Sequence, residues 1–187
     1  MSMINTNYVE GRDDPHLPSD AGEYAEVLKE ILDRIPNGWG KWISCDKGWY
    51  KLLADTNRKM KLMWPNYEIH QVKEKFGTLR FYWGIPFEDA AWADMNDDIA
   101  NTVYDIMHDI EFSAEHASAH ICENCGKYGK TRDRNHWYKT LCALCAIEKG
   151  YPLEDWEQDR YGNVTDVTVM PAHQYDDLME ELENGNE

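Results

Sequence analysis

The sequence has no long run of apolar residues, and this absence argues against one class of proteins. No stretch approaches the ~20 apolar residues that a transmembrane helix needs, so we expect no membrane contact. The start of the chain has no basic segment followed by an apolar one, so we expect no secretory signal. Five cysteines, four of them in two tight pairs, then favour metal ligation in a reducing cytoplasm over disulfide bonds.

The sequence also lacks the short motifs of several enzyme classes. It has no glycine-rich phosphate loop, no Gly-x-Ser-x-Gly turn and no His-Glu-x-x-His pair. A zinc deaminase needs His-x-Glu and a proline directly before a Cys-x-x-Cys pair, and neither occurs. An HNH-type nuclease would need a second catalytic histidine on a helix after Asn135-His136, and we expect none there. We therefore expect a protein that is not an enzyme, with an enzyme of unrecognised motif as an open alternative.

Basic residues are missing from a long internal segment. Residues 84–120 contain nine acids and no lysine or arginine, and residues 146–187 carry a net charge of −10. Residues 41–83 and 121–145 are modestly basic, at +5 and +3, within a chain of net charge −16. Such a chain is repelled by nucleic acid at long range, which disfavours a simple DNA-binding protein. Local basic surfaces could still contact phosphate, and the acidic tail could cover them.

Hydrophobic periodicity predicts an α+β protein with a helical N-terminal part, a β-hairpin and a long amphipathic helix. A treble-clef or zinc-ribbon-like module follows these elements. The predicted elements are a helix over 21–35 capped by Asp20, a helix over 47–63, strands over 67–75 and 78–83, and a helix over 88–117.

The chain divides into four predicted parts that fold as one unit. Residues 1–20 are a flexible lead, 21–120 form the α+β domain, 121–150 form a zinc-binding module, and 151–187 form a partly packed acidic tail. Within that tail we expect a short strand over 164–170 and a helical turn or two over 175–182.

Two Cys-x-x-Cys pairs give the strongest chemical signal. Cys122 and Cys125 are separated by sixteen residues from Cys142 and Cys145. Each pair can point two sulfurs at one ion, and Gly126 supplies the backbone angle that such a knuckle often needs. Four thiolates leave no open position for water, so we predict one structural zinc ion per chain.

The intervening residues fit a hairpin with a turn at 133–135, followed by a short helix. Three alternatives to the four-cysteine zinc site remain open from the spacing. The cysteines could be four unrelated buried thiols, His120 or His136 could replace one of them, or the four thiolates could hold an iron–sulfur cluster.

Three segments of the chain resemble a known group of sequences. They are the string KEKFGTLRFY at 73–82, the segment Cys122-Glu123-x-Cys125-Gly126, and the string WYKTLC at 137–142; Ala114-Glu115 with Ser118 belongs to the same resemblance. The region 67–146 thereby resembles a family of small uncharacterised proteins of bacteriophages and bacteria. The resemblance implies a phage or bacterial origin and one recurrent domain, and it implies no reaction. The cysteine spacing is also similar to that of GATA-type and stringent-response transcription-factor fingers, although spacing is a weak guide to function.

Six basic residues are candidate partner contacts. In the β-hairpin they alternate with aromatics, as on a surface that stacks bases and holds phosphates. The competing interpretation buries Leu79, Phe81 and Trp83 and leaves the basic residues solvated, and it is favoured. In the zinc-binding module the basic residues form a second patch. The candidates are Lys73, Lys75 and Arg80 in the hairpin and Lys130, Arg132 and Arg134 in the zinc segment.

Two further sites are weaker candidates. His116 and His120 are one helical turn apart and could hold a second metal with Glu115 or Asp109, although exposed histidines are more common. Cys45 is a lone thiol, which is more often a small buried residue than a nucleophile.

These observations favour a non-enzymatic cytoplasmic binding protein that contacts another protein, such as a phage-encoded modulator of host machinery. The alternative is a nucleic-acid-associated regulator that uses the zinc segment and hairpin bases.

Overall fold

A computed structural model describes residues 13–154, 157–158 and 163–164. It confirms a mixed helix and sheet architecture with a cysteine cluster toward the C-terminus. Within the described residues, no helix is both long enough and apolar enough to cross a bilayer. The helices are α1 Ala25–Asp33, α2 Tyr50–Met63, α3 Ala90–Ala93, α4 Asp97–Ser118 and α5 Ala143–Lys149; the strands are β1 Ile43–Ser44, β2 Glu68–Lys75, β3 Thr78–Gly84, β4 Lys130–Arg134 and β5 Trp137–Leu141.

The first helix forms where an apolar stripe recurs at helical spacing. Leu28, Ile31 and Leu32 are fully buried on one face of α1. The predicted cap at Asp20 is wrong, because a 3-10 turn over Gly22–Tyr24 moves the start of the helix to residue 25. The Asp20 carboxylate instead accepts a hydrogen bond of 2.9 Å from the Tyr50 hydroxyl, which ties the segment before α1 to α2.

A three-stranded sheet in the order β1-β2-β3 packs against the helices. The predicted hairpin is confirmed, with Val72 of β2 opposite Phe81 of β3. Leu79 and Phe81 are buried, so the predicted strand phase is also confirmed. Strand β1 was not predicted, because two residues that pair in parallel with β2 carry no detectable period.

The long helix is interrupted near its start. Residues 88–117 were predicted as one helix, but α3 ends at Ala93 and α4 begins at Asp97. Asn96 explains the new start, because its side chain accepts hydrogen bonds from two backbone N–H groups of the first turn of α4.

Helix α4 then runs along β3 and covers the free edge of the sheet. The Leu79 N–H donates to the Ser118 hydroxyl at 2.8 Å, and the Trp83 indole N–H donates to Glu111 at 2.9 Å. A strand edge that pairs with side chains in this way is protected from pairing with other chains.

Strands β4 and β5 form a separate hairpin that carries the two cysteine pairs on its flanks. Its turn is at Asn135-His136, at the C-terminal end of the predicted turn 133–135. Both residues have positive φ, as a two-residue turn requires. Val164 forms a β-bridge with Gln158. The rest of the strand predicted over 164–170, the helical turn over 175–182 and most of the lead 1–20 lie outside the described residues.

Candidate metal centre

The four cysteine sulfurs lie at one point of the fold. All four sulfur atoms are within 4.8 Å of one another, and those of Cys125 and Cys142 are 3.7 Å apart. Four sulfurs placed tetrahedrally at 2.3 Å from a zinc ion would be about 3.8 Å from each other. The spacing therefore fits a single metal ion, and the four thiols are not unrelated.

The first pair lies on a tight turn. The Gly126 N–H donates to the Cys122 carbonyl at 2.8 Å, and the Cys122 N–H donates to the Lys127 carbonyl at 2.6 Å. Gly126 has a φ of +77°, a backbone angle that glycine adopts more easily than other residues, as the sequence predicts. This turn brings Cys122 and Cys125 to the same side of the chain.

The second pair opens α5. Cys142 is the N-cap residue, and its sulfur accepts the Cys145 N–H at 3.4 Å. The Asn124 amide also donates to the Cys145 sulfur at 3.2 Å. Donors of this kind stabilise negative charge on thiolates, and the contact from Asn124 was not predicted because it joins two segments far apart in the sequence.

The crowding of the sulfurs favours a bound cation. Hydrogen bonds from the Cys122 and Cys125 thiols lower the pKa of Cys142, and the same sharing of protons raises the pKa of Cys122. Adjacent negative charges repel, so four thiolates this close together oppose one another unless a cation lies among them. A divalent ion would replace the protons and satisfy all four sulfurs together.

The cluster consists of cysteines alone. It is the one group of three or more potential metal ligands within the described residues. His136 lies exposed at the β4–β5 turn, and His120 stacks on Tyr128 with ring centroids 6.2 Å apart. The substitution of a histidine for a cysteine is therefore not observed. The second metal site that His116 and His120 could form is also not seen. Their ring centroids lie 5.6 Å apart, and within the described residues no carboxylate completes a metal site with them.

The metal centre is attached to the α+β core through Glu123. This carboxylate is 1% exposed, accepts the Asp46 N–H at 3.1 Å and binds the Lys139 ammonium at 2.6 Å. Burial raises the pKa of Glu123, while the Lys139 hydrogen bond opposes that rise. Glu123 was not predicted to matter, because a charged residue between two ligands normally faces solvent.

Backbone contacts complete this attachment. The Gly48 N–H donates to the Glu123 carbonyl at 2.7 Å, and the Trp49 indole N–H donates to the Ile121 carbonyl at 2.8 Å. A Cβ on Gly48 would lie closer than 3.0 Å to backbone atoms of the cysteine knuckle. The knuckle and the 3-10 turn over Lys47–Trp49, directly before α2, therefore pack backbone to backbone.

Two basic residues of the zinc-binding module, Arg132 and Lys130, form ion pairs with acids of the same chain. Arg132 is 5% exposed and forms two hydrogen bonds with the Glu157 carboxylate, at 2.5 and 2.8 Å. Lys130 lies 3.3 Å from Glu154 and 3.7 Å from Glu157. Burial withdraws Arg132 from the surface, so Arg132 is corrected as a candidate partner contact. Lys130 is half-buried and paired with acids, and its role as a partner contact stays a prediction.

Arg134 is also engaged within the module. Its guanidinium donates to the Lys149 carbonyl at 2.5 Å and lies over the Tyr151 ring at 4.7 Å from the centroid. These contacts hold the end of α5 against the hairpin. Arg134 is exposed, but its guanidinium is already engaged by groups of the same module.

The hairpin bases differ from one another. Arg80 forms an ion pair of 2.6 Å with Glu115 of α4. Lys73 lies over the Tyr82 ring at 5.5 Å, and Lys75 lies over the Phe76 ring at 5.3 Å. Lys73 and Lys75 therefore keep their charge available on the outer side of the sheet.

Cys45 carries no sign of a nucleophile. Burial raises the pKa of its thiol, and the nearby carboxylates of Glu123 and Asp46 raise it further. A thiol that stays protonated is a poor nucleophile, and Cys45 is half-buried against the core, not fully buried as predicted.

No protein-family model, curated protein or solved structure matches this chain. The resemblance to phage and bacterial proteins therefore stays a prediction, and the geometry of the chain itself supports the functional argument.

Proposed function

We propose that this chain is a non-enzymatic binding protein, stabilised by one structural zinc ion, that acts through contacts with another protein. Cys122, Cys125, Cys142 and Cys145 would hold the ion. Four sulfur ligands fill a tetrahedral shell, so the ion would supply folding energy and no reactive water. The order of knuckle, hairpin β4–β5 and helix α5 supports a treble-clef or zinc-ribbon-like arrangement.

One observation supports a protein partner: basic residues of the zinc-binding module pair with acids of the same chain. Binding to nucleic acid requires cations that face outward and meet phosphates. Arg132 and Lys130 instead meet Glu157 and Glu154, and Lys139 meets Glu123. The acids of residues 84–120 have no neighbouring lysine or arginine in the sequence, so negative charge dominates that region. The resemblance to phage proteins adds the proposal that the partner is bacterial host machinery in the cytoplasm.

The test is a pull-down from bacterial lysate with and without nuclease treatment. A partner that survives nuclease supports the proposal, and a partner that is lost with the nucleic acid contradicts it. A Glu26→Gln variant serves as a control for handling, because Glu26 is an exposed residue of α1 that belongs neither to the cysteine cluster nor to the candidate partner contacts.

One observation favours the alternative of a nucleic-acid-associated regulator. Lys73 and Tyr82 lie together on the outer side of the sheet, where a base could stack beside a cation. A gel-shift assay tests this alternative with the full chain and with residues 165–187 removed. This truncation removes seven acids and no base, and it leaves Glu157 in place to pair with Arg132. Binding that appears on truncation, with a log–log salt slope of about −0.9 per phosphate contacted on duplex DNA, would support the regulator.

A further inference from the structure

A 25-residue segment of the described chain contains no buried residue. It runs from Tyr82 to Ile106 through α3 and the first half of α4. The segment is nevertheless rich in large apolar side chains, and Phe87 is fully exposed. It also contains six acids and no lysine or arginine. A surface that is apolar and uniformly acidic is unusual for a face that meets only water.

Two parallel rows organise this surface on α4. Ile99, Val103, Ile106 and Ile110 recur at intervals of four, three and four residues, which places them in one stripe. Asp98, Asp105 and Asp109 each precede one of the isoleucines and form a second row about 100° around the helix. We call these two rows the acidic seam.

The core covers only part of the acidic seam. Met107, Ala114 and Ala117 bury the C-terminal half of α4 against the core. Val103 and Ile110 are half-buried and pack against the core, whereas Ile99 is 56% exposed and Ile106 is 39% exposed. The apolar stripe therefore lies along the border of the buried face of α4, with Ile99 and Ile106 open to solvent.

Charge decides what can occupy the seam. A second copy of this chain would bring an identical row of aspartates to the interface, and like charges oppose that contact. Residues 165–187 of the same chain contain seven acids and no base, so they are repelled in the same way. A helix with an apolar stripe flanked by lysines or arginines complements both rows.

We propose that the acidic seam of α4 is the docking surface for a basic amphipathic helix of another protein. This proposal rests on the proposed function and specifies the partner's chemistry. The partner's apolar side chains pack between Ile99 and Ile106, and its cations meet Asp98, Asp105 and Asp109.

The test measures fluorescence anisotropy of a labelled Leu/Lys helical peptide of about 18 residues with the zinc-loaded full chain. A scrambled peptide of the same composition and a Leu/Glu peptide are the peptide controls. We expect binding of the Leu/Lys peptide alone, weakened between about 50 and 300 mM salt. The Ile99→Ser/Ile106→Ser variant should bind about tenfold or more weakly. Ile147→Ser, which changes an isoleucine that is 52% exposed on α5, should bind as wild type.

Charge variants test the second row. Asp98→Asn/Asp105→Asn should weaken binding and flatten its salt dependence, whereas Glu26→Gln/Glu148→Gln should not. Circular dichroism and zinc content confirm that each variant is folded. Equal binding of all three peptides, no binding of any peptide, or unchanged binding by the double serine variant would overturn the proposal. So would a dimer that the double serine variant abolishes, because the seam would then belong to a second copy.

The outcome separates this inference from the proposed function. If a nuclease-resistant partner from the pull-down binds equally well to the Ile99→Ser/Ile106→Ser variant, the proposed function stands and the seam is excluded. If every partner is lost with nuclease, the proposed function is contradicted, and the docking surface that rests on it is contradicted with it.

Discussion

Substitution of Gly48 by alanine should destabilise the protein strongly, because this residue lies where the cysteine knuckle meets α2. The new Cβ would lie closer than 3.0 Å to the Cys122 carbonyl, the Glu123 carbonyl and the Gly126 nitrogen. All three are backbone atoms, so no flexible side chain can move away. The knuckle must separate from α2 instead.

The size of the effect follows from the contacts at that junction. Overpacking a tight site costs about 1–3 kcal/mol. Separation also weakens the hydrogen bonds from the Gly48 N–H, the Asp46 N–H and the Trp49 indole, each of which contributes about 1 kcal/mol. Since the knuckle relaxes and keeps part of these bonds, we expect a loss of about 3–5 kcal/mol in the free energy of unfolding.

Urea unfolding of the zinc-loaded, reduced protein measures this loss, and chelator competition measures the accompanying drop in metal affinity. Gly22→Ala is the control, because Gly22 has a positive φ but nothing within 4 Å of the position of a Cβ. It should cost only about 1–2 kcal/mol of backbone strain. If Gly48→Ala is within 1 kcal/mol of wild type, the close packing of knuckle and α2 is wrong.

Three further substitutions have defined outcomes in the same unfolding assay. Cys142→Ser should lose the metal and destabilise the zinc module, since the binding energy of a structural zinc ion is folding energy; metal analysis checks this. Phe81→Ala should cost about 3–5 kcal/mol, because it empties a fully buried site. Arg132→Met should cost about 2–4 kcal/mol, because it removes both guanidinium hydrogen bonds of the buried Glu157 carboxylate and leaves only the more distant Lys130, at 3.7 Å, as a cationic partner.

Neighbouring residues supply the controls for these substitutions. Tyr82→Ala removes the next residue of β3, which is 37% exposed, and should cost about 1 kcal/mol or less. Lys73→Ala and Lys75→Ala should be nearly neutral for stability, since both side chains face outward. Full metal retention by Cys142→Ser, equal losses for Phe81 and Tyr82, or a neutral Arg132→Met would each contradict the corresponding assignment.

The parts of the fold that were predicted depend on local sequence patterns. Leu79 and Phe81 repeat every second residue, so the buried face of β3 can be read from the chain. The cysteine pairs are equally local, because each pair is held by one short turn or helix start. The position of α5 follows from Cys142, which is both a ligand and the cap of the helix.

The parts that were missed depend on contacts between distant residues. Glu123 is important because Asp46 lies beside it, 77 residues earlier in the chain. Arg132 is buried because Glu157 reaches back to it over 25 residues. Isolated charged residues usually face water. Because the partners of Glu123 and Arg132 are distant in the sequence, the local pattern predicts that both residues are solvated. The break before α4 was missed because the apolar pattern continues across Asn96.

X-ray absorption spectroscopy at the zinc edge, on protein purified under reducing conditions, tests whether the four cysteines form the metal centre. We expect one zinc ion per chain with four sulfur ligands at about 2.3 Å and no nitrogen or oxygen in the first shell. Iron with the visible absorption of a sulfur cluster, a mixed shell containing nitrogen or oxygen, or protein that folds with no metal would contradict a closed structural zinc site.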